Sequence, residues 1–117
     1  MAAPNIVNVT TITGKTAVQS VGTSATAIAT NSAASGKVFK VNSLLVSNID
    51  GSAAATINVD LFRSSVAYYI AYTITVPADA TLDLLNKPIY LEEGDALRLT
   101  ASASGDLQAV CSYEEIS

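Results

Sequence analysis

The feature that most constrains this chain is alternation interrupted by turns. Apolar or β-branched residues alternate with small polar ones in short runs, and Gly, Pro, Asn or Asp closes each run. Side chains in a strand point to opposite faces in turn, so such runs read as half-buried strands. Lys87 to Thr100 shows it most clearly. Ile89 and Leu91 flank Tyr90, Leu97 and Leu99 flank Arg98, and Glu92-Glu93-Gly94-Asp95 separates the two runs. Gly94 supplies the positive φ of a tight turn, so this stretch is predicted to be a hairpin that sets strand register.

The same pattern extends through the chain. Residues 6–13 are β-branched almost throughout and predict a strand, with Gly14-Lys15 breaking it. Thr16 to Val21 predicts a second short strand, and Thr23 to Thr30 an edge strand. Lys37 to Asn48 predicts a longer strand, with Phe39, Val41 and Leu45 on one face and Leu44 and Val46 on the other. Both faces are partly apolar, so this strand is expected to be central or to meet a partner. Asn48 to Ser52 is a turn. Ala55, Ile57, Val59 and Leu61 then point inward and Thr56, Asn58 and Asp60 outward. Ala67 to Val76 is the longest run, with Tyr68, Ile70, Tyr72, Ile74 and Val76 assigned to the core face and Tyr69 to the other. Pro77 cannot donate to a ladder and ends it. A short strand over Thr81 to Leu85 buries Leu82 and Leu84, and Leu107 to Tyr113 forms the last strand.

Turn signals every 8–12 residues without an amphipathic helix define an all-β chain. The expected architecture is an antiparallel β-sandwich, jelly-roll-like, of about eight strands. At 117 residues the chain is one domain. Residues 14–117 form the sandwich, and residues 1–13 are an N-terminal arm or first strand.

Composition excludes several function classes. The net charge is −4 and the six basic residues are scattered, which argues against a nucleic-acid partner. No apolar run is long enough to span a membrane as a helix, and the N-terminus shows no secretory signal. There is no histidine, so no histidine-based nucleophile system or histidine-ligated metal can form. Cys111 is the single cysteine; it alternates with apolar neighbours and reads as a core residue. One cysteine allows no intrachain disulfide and fits synthesis in a reducing cytoplasm. Gly14-Lys15-Thr16 looks like the end of a phosphate-binding loop, but Val9 stands where that loop needs its first glycine. Glu92, Glu93 and Asp95 offer oxygen ligands for calcium, and Asp79 with Asp83, or Asp50 with Asp60, form possible carboxylate pairs. Acidic turns also serve solubility alone, and no catalytic residue, cofactor or metal is assigned. Asn8-Val9-Thr10 fits a glycosylation sequon, which means little without a secretory signal.

Charged residues make up only 14% of the chain, and Ala, Ser and Thr dominate. A small-sided, neutral surface packs well against partners and repels them poorly. The candidate interface residues are Ile6, Val7, Val9 and Ile12 of the arm, Leu44 and Val46 of the long strand, and Tyr69.

Three stretches carry a family resemblance: Val76-Pro77-Ala78-Asp79-Ala80-Thr81-Leu82, Pro88 to Arg98, and Val110-Cys111-Ser112-Tyr113-Glu114-Glu115-Ile116. With Met-Ala-Ala-Pro-Asn-Ile-Val-Asn-Val at the start and Ser-Gly-Lys-Val-Phe-Lys-Val, the chain resembles small virion structural proteins of tailed bacteriophages, especially cyanobacterial and marine phages. The resemblance covers nearly the whole chain and brings no catalytic motif. It implies a jelly-roll particle component, not an enzyme. The expected role is a capsid decoration (cement) protein that bridges neighbouring subunits of the major capsid protein. A homo-oligomer, a trimer at local symmetry axes, is expected, with no nucleic-acid or membrane partner, and with the virion as location. A tail, collar or fibre component of the same fold, touching a tail protein or host glycan, is the alternative. A free carbohydrate-binding or hydrolytic sandwich is a third reading, which the near absence of exposed aromatics other than Tyr69 and Tyr90 disfavours.

Overall fold

The computed structural model describes residues 4–117. Met1, Ala2 and Ala3, which begin the expected arm, lie outside the described residues. Among the described residues, nine strands and no helix make up the fold: β1 Ile12–Ser20, β2 Thr26–Thr30, β3 Val38–Asn48, β4 Ala55–Arg63, β5 Val66–Val76, β6 Thr81–Asp83, β7 Ile89–Leu91, β8 Ala96–Ala101 and β9 Leu107–Ile116. They form two antiparallel sheets. Sheet A runs β1-β9-β3-β6, with β7 also paired to β3, and sheet B runs β2-β8-β4-β5. With the short β7 set aside, the sheets carry strands 1, 8, 3, 6 and 2, 7, 4, 5 in order, the arrangement of a jelly roll. The chain is therefore an all-β sandwich, with one strand beyond the expected eight.

The core lies between the sheets. Val41, Leu44, Val46, Leu107, Ala109 and Cys111 from sheet A meet Ile57, Val59, Leu97 and Leu99 from sheet B. Phe39 stacks on Tyr113 at a centroid distance of 5.3 Å. The core is aliphatic and small-sided because the chain has few aromatics to put there.

Several expectations change. Lys87 to Thr100 is not a hairpin. β7 pairs with β3 in sheet A, while β8 lies between β2 and β4 in sheet B. The turn between them carries the chain from one sheet to the other. Ile89 and Leu91 alternate inward in either arrangement, so the pattern reports a buried face and not the neighbour. Gly94 does supply the positive φ, 90°, at the third position of a type II turn closed by Asp95 N donating to Glu92 O at 3.0 Å.

The inner face of β3 also differs. The ladder to β9 shifts between Val41 and Ser43, an extra residue at Asn42. Such a bulge reverses the parity of everything after it. Phe39, Val41, Leu44 and Val46 all point inward, and only Leu45 faces out.

The first strand begins late. Asn5 to Asn8 form a turn, with Asn8 N donating to Asn5 O, and β1 starts at Ile12 and runs through Gly14-Lys15 without a break. Thr10 and Thr11 N–H groups donate to Ser117 O at 2.7 and 2.9 Å, which ties the end of the arm to the C-terminus. Near the other end of the sheet, Leu82 and Leu84 are only half-buried, and Leu85 is the one that enters the core.

Candidate functional site

The acidic turn proves to be a structural lock. Asp95 is buried and takes three hydrogen bonds: Arg63 Nε at 2.7 Å, Arg63 Nη2 at 2.5 Å and Glu92 N at 2.8 Å. Glu92 accepts from the same guanidinium at 2.9 Å. Burial pushes the Asp95 carboxyl up, but the Arg63 guanidinium and the Glu92 N–H outweigh it and hold it below its ordinary value. Arg63 is raised in turn by Asp95. Asn31, also buried, extends the lock: its amide donates to Lys37 O and Leu91 O at 2.9 and 3.0 Å, and its oxygen accepts from Ser35 Oγ. Glu93 accepts from Gly36 N at 2.8 Å. Every carboxylate expected to offer calcium a ligand is thus engaged with donors of its own chain. Among the described residues, no group of acidic or cysteine side chains is placed to hold a metal.

Of the four carboxylates in the possible pairs, Asp50, Asp60 and Asp83 are engaged separately, and Asp79 is exposed. Asp60 is buried beneath Arg98, which donates to it at 2.9 Å and lies 3.8 Å over the Phe62 ring. Asp50 accepts from Ser52 N and Oγ, and those bonds hold its carboxyl low. Asp83 accepts from Leu85 N. Lys15 lies in β1, so Gly14-Lys15-Thr16 is strand, not a phosphate loop. Lys15 and Lys37 both bridge to Glu115 at 3.1 and 3.0 Å. Cys111 is fully buried and burial raises its thiol pKa to about 11.

The residues chosen as interface candidates separate into two groups. Leu44 and Val46 are not available: the Asn42 bulge turns both into the core, where neither keeps any exposure. Ile6, Val7 and Ile12 are exposed and Val9 is half-buried, with Pro4 and Ile6 lining a shallow groove against Val38 and Tyr90. Tyr69 is exposed as expected. Tyr68 and Tyr72, assigned to the core by alternation, are exposed too, at 56% and 63%. β5 is the outermost strand of sheet B and is bulged twice against β4, so its parity does not hold along its length.

Two apolar surfaces therefore emerge that the sequence reading did not assemble. One is the outer face of sheet A. Val18 pairs with Val110 and Val110 pairs with Leu45, so three exposed aliphatic side chains form a bar across three strands. Thr16, Ser112 and Ser43 form the row on one side of it, and Ser20, Gln108 and Ser47 the row on the other. Those rows are uncharged. The other surface is β5 itself, with Val66, Tyr68, Tyr69, Ile70, Tyr72 and Ile74 all exposed.

No protein-family model matches the chain, and no curated protein matches it. The fold is similar to a chain of the solved structure described as "Bacillus endospore appendages form a novel family of disulfide-linked pili", with a TM-score of 0.55 and 13% identity over 92% of this chain and 88% of that one. At that identity the likeness speaks to the fold, which is the all-β sandwich described above.

Proposed function

We propose that this chain is a structural subunit that adds to the surface of a larger assembly, of the decoration type found on tailed-phage heads. The observation that carries the reading is the outer face of sheet A. Its Val18–Val110–Leu45 bar, framed by uncharged Ser, Thr and Gln rows, is apolar at the centre and polar at the rim. That is the anatomy of a protein contact. An exposed sheet face of this kind suits a partner presenting a repeated surface, such as the major capsid protein, and many weak copies gain strength from the lattice. The resemblance to virion proteins supports the same reading, and so does the engagement of the Glu92, Glu93 and Asp95 carboxylates by the chain's own donors.

The pilus-like fold neighbour suggests a second kind of assembly. Disulfide linkage of the sort named for that neighbour has no support here, because Cys111 is buried and its thiol is held protonated.

The test is co-sedimentation of the purified protein with particles that lack it, followed by heating. Saturable binding spread over the head and a higher temperature of genome release are expected. Val110→Lys and Val18→Lys should fold normally and fail to bind. Equal heat resistance with and without the protein would sink the decoration reading, and a few copies confined to the tail would move the role there.

A further inference from the structure

The second surface points to a partner of a different kind. β5 is an edge strand eleven residues long, Val-Ala-Tyr-Tyr-Ile-Ala-Tyr-Thr-Ile-Thr-Val, without one charged side chain or proline. Natural edges are usually blunted by charge, proline, brevity or bulges, and of these β5 has only the bulges. The opposite sheet offers little cover on this side, because β6 and β7 are only three residues each and pair with separate stretches of β3. Tyr68 pairs with Leu61 and Ile74 with Ile57, positions that share the core-facing side of sheet B, yet both remain exposed.

We propose that β5 is the contact between two copies of this chain, which meet through it about a two-fold axis. Three features choose a second copy over another occupant. The first is charge. The chain carries −4, so most of its own surface repels a copy, but β5 brings no charge to a two-fold contact. The charges nearest its β4 neighbour are already paired, Arg63 with Asp95 and Asp60 with Arg98. A charged partner would find nothing to pair with here, and the free edge of β1, which holds Lys15, would be set against an uncharged strand.

The second feature is area. Three half-exposed tyrosines, with the exposed parts of Val66, Ile70 and Ile74, amount to on the order of 500 Å² per copy. A two-fold contact that covered all of it would remove about 1,000 Å² in total, the size at which specific association begins.

The third feature is preorganisation. Tyr69 and Tyr72 already pack edge to face with centroids 4.8 Å apart, so little side-chain freedom remains to be lost on association. That pairing depends on local backbone geometry. Tyr72 and Thr73 fall where the ladder shifts, Thr73 has φ 51°, and its N–H donates to Asn58 Oδ1 at 2.6 Å. Bulges here also interrupt the regular spacing a continuous backbone ladder between copies would need. The contact is therefore made by side chains, tyrosine against tyrosine. Where the resemblance implies a trimer, β5 specifies a two-fold unit.

This inference rests on the assembly reading above and names the partner of a second surface. Sedimentation equilibrium of the full chain decides it. A monomer–dimer equilibrium in about the micromolar range is expected. Tyr72→Lys and Tyr69→Lys, both at exposed positions, should raise the dissociation constant at least about tenfold while circular dichroism stays native. Val110→Lys should dimerise like the wild type and lose particle binding. A chain that stays monomeric up to about 1 mM, forms trimers, or dimerises unchanged as Tyr72→Lys overturns the two-fold contact. Dimers that do not bind particles instead overturn the decoration reading and leave this one standing.

Discussion

Asp95→Ala tests the lock that joins the two sheets. The substitution removes a buried carboxylate that accepts two bonds from Arg63 and one from Glu92 N. Breaking a buried ion pair typically costs about 3–5 kcal/mol, because the remaining charge is stranded. Here the stranded group is Arg63, whose side chain is 42% exposed and keeps Glu92 as a partner, so much of that penalty is relieved by water. The Glu92 N–H loses its acceptor, worth about 1 kcal/mol. A net loss of about 2–3 kcal/mol follows, or roughly 10 °C in Tm for a domain of this size. The pH dependence gives an independent check. The folded Asp95 carboxyl titrates below its unfolded value, so its contribution is fully present above the unfolded pKa, about 4, and is lost as pH falls through the folded one. Urea denaturation across pH 7 to about pH 2.5 should therefore show a steep acid limb for the wild type and a flatter one for Asp95→Ala, the two curves converging at the acid end. A variant within about 0.5 kcal/mol of wild type at pH 7, or one with an unchanged acid limb, would refute the assignment of Asp95 as the sheet-joining acceptor.

Two further predictions concern β3 and β9. Leu44→Ala should cost about 2–5 kcal/mol as a core truncation, whereas Leu45→Ser on the outer face should change stability by less than about 0.5 kcal/mol in the same denaturation series; equal effects would mean the Asn42 bulge is misplaced. Cys111 should react with a thiol reagent only as fast as the chain unfolds. Its folded pKa of about 11 lies above the unfolded one, so stability is complete below about pH 8.5 and falls as pH rises toward 11, and rapid labelling of the native protein would contradict the burial.

Much of the fold is legible in the residues. The β-branched runs, the spacing of turns and the absence of a helical period specify two-layer all-β packing. Ala55, Ile57 and Val59 face inward as their alternation says, Cys111 lies in the core, and Gly94 adopts the positive φ its turn needs. The candidate surfaces were far less legible. One inserted residue at Asn42 put Leu45 on the outer face in place of Leu44 and Val46, and nothing local marks Asn42 as a bulge. Tyr68 and Tyr72 of β5 look like core because alternation reports a face, and a face is buried only if something covers it.

What the sequence by itself determined is the set of short-range terms: strand propensity, turn chemistry, the absence of histidine and the sparseness of charge. Only the tertiary structure decided which strands are neighbours. Ile89-Tyr90-Leu91 and Leu97-Arg98-Leu99 carry the same alternating signal whether they pair with each other or face each other across the core. The Arg63–Asp95–Glu92 bonds span about thirty residues, and the Val18–Val110–Leu45 bar draws on three distant strands. Such contacts depend on register between strands far apart in the chain, and a one-residue shift in any of them moves a side chain to the other face.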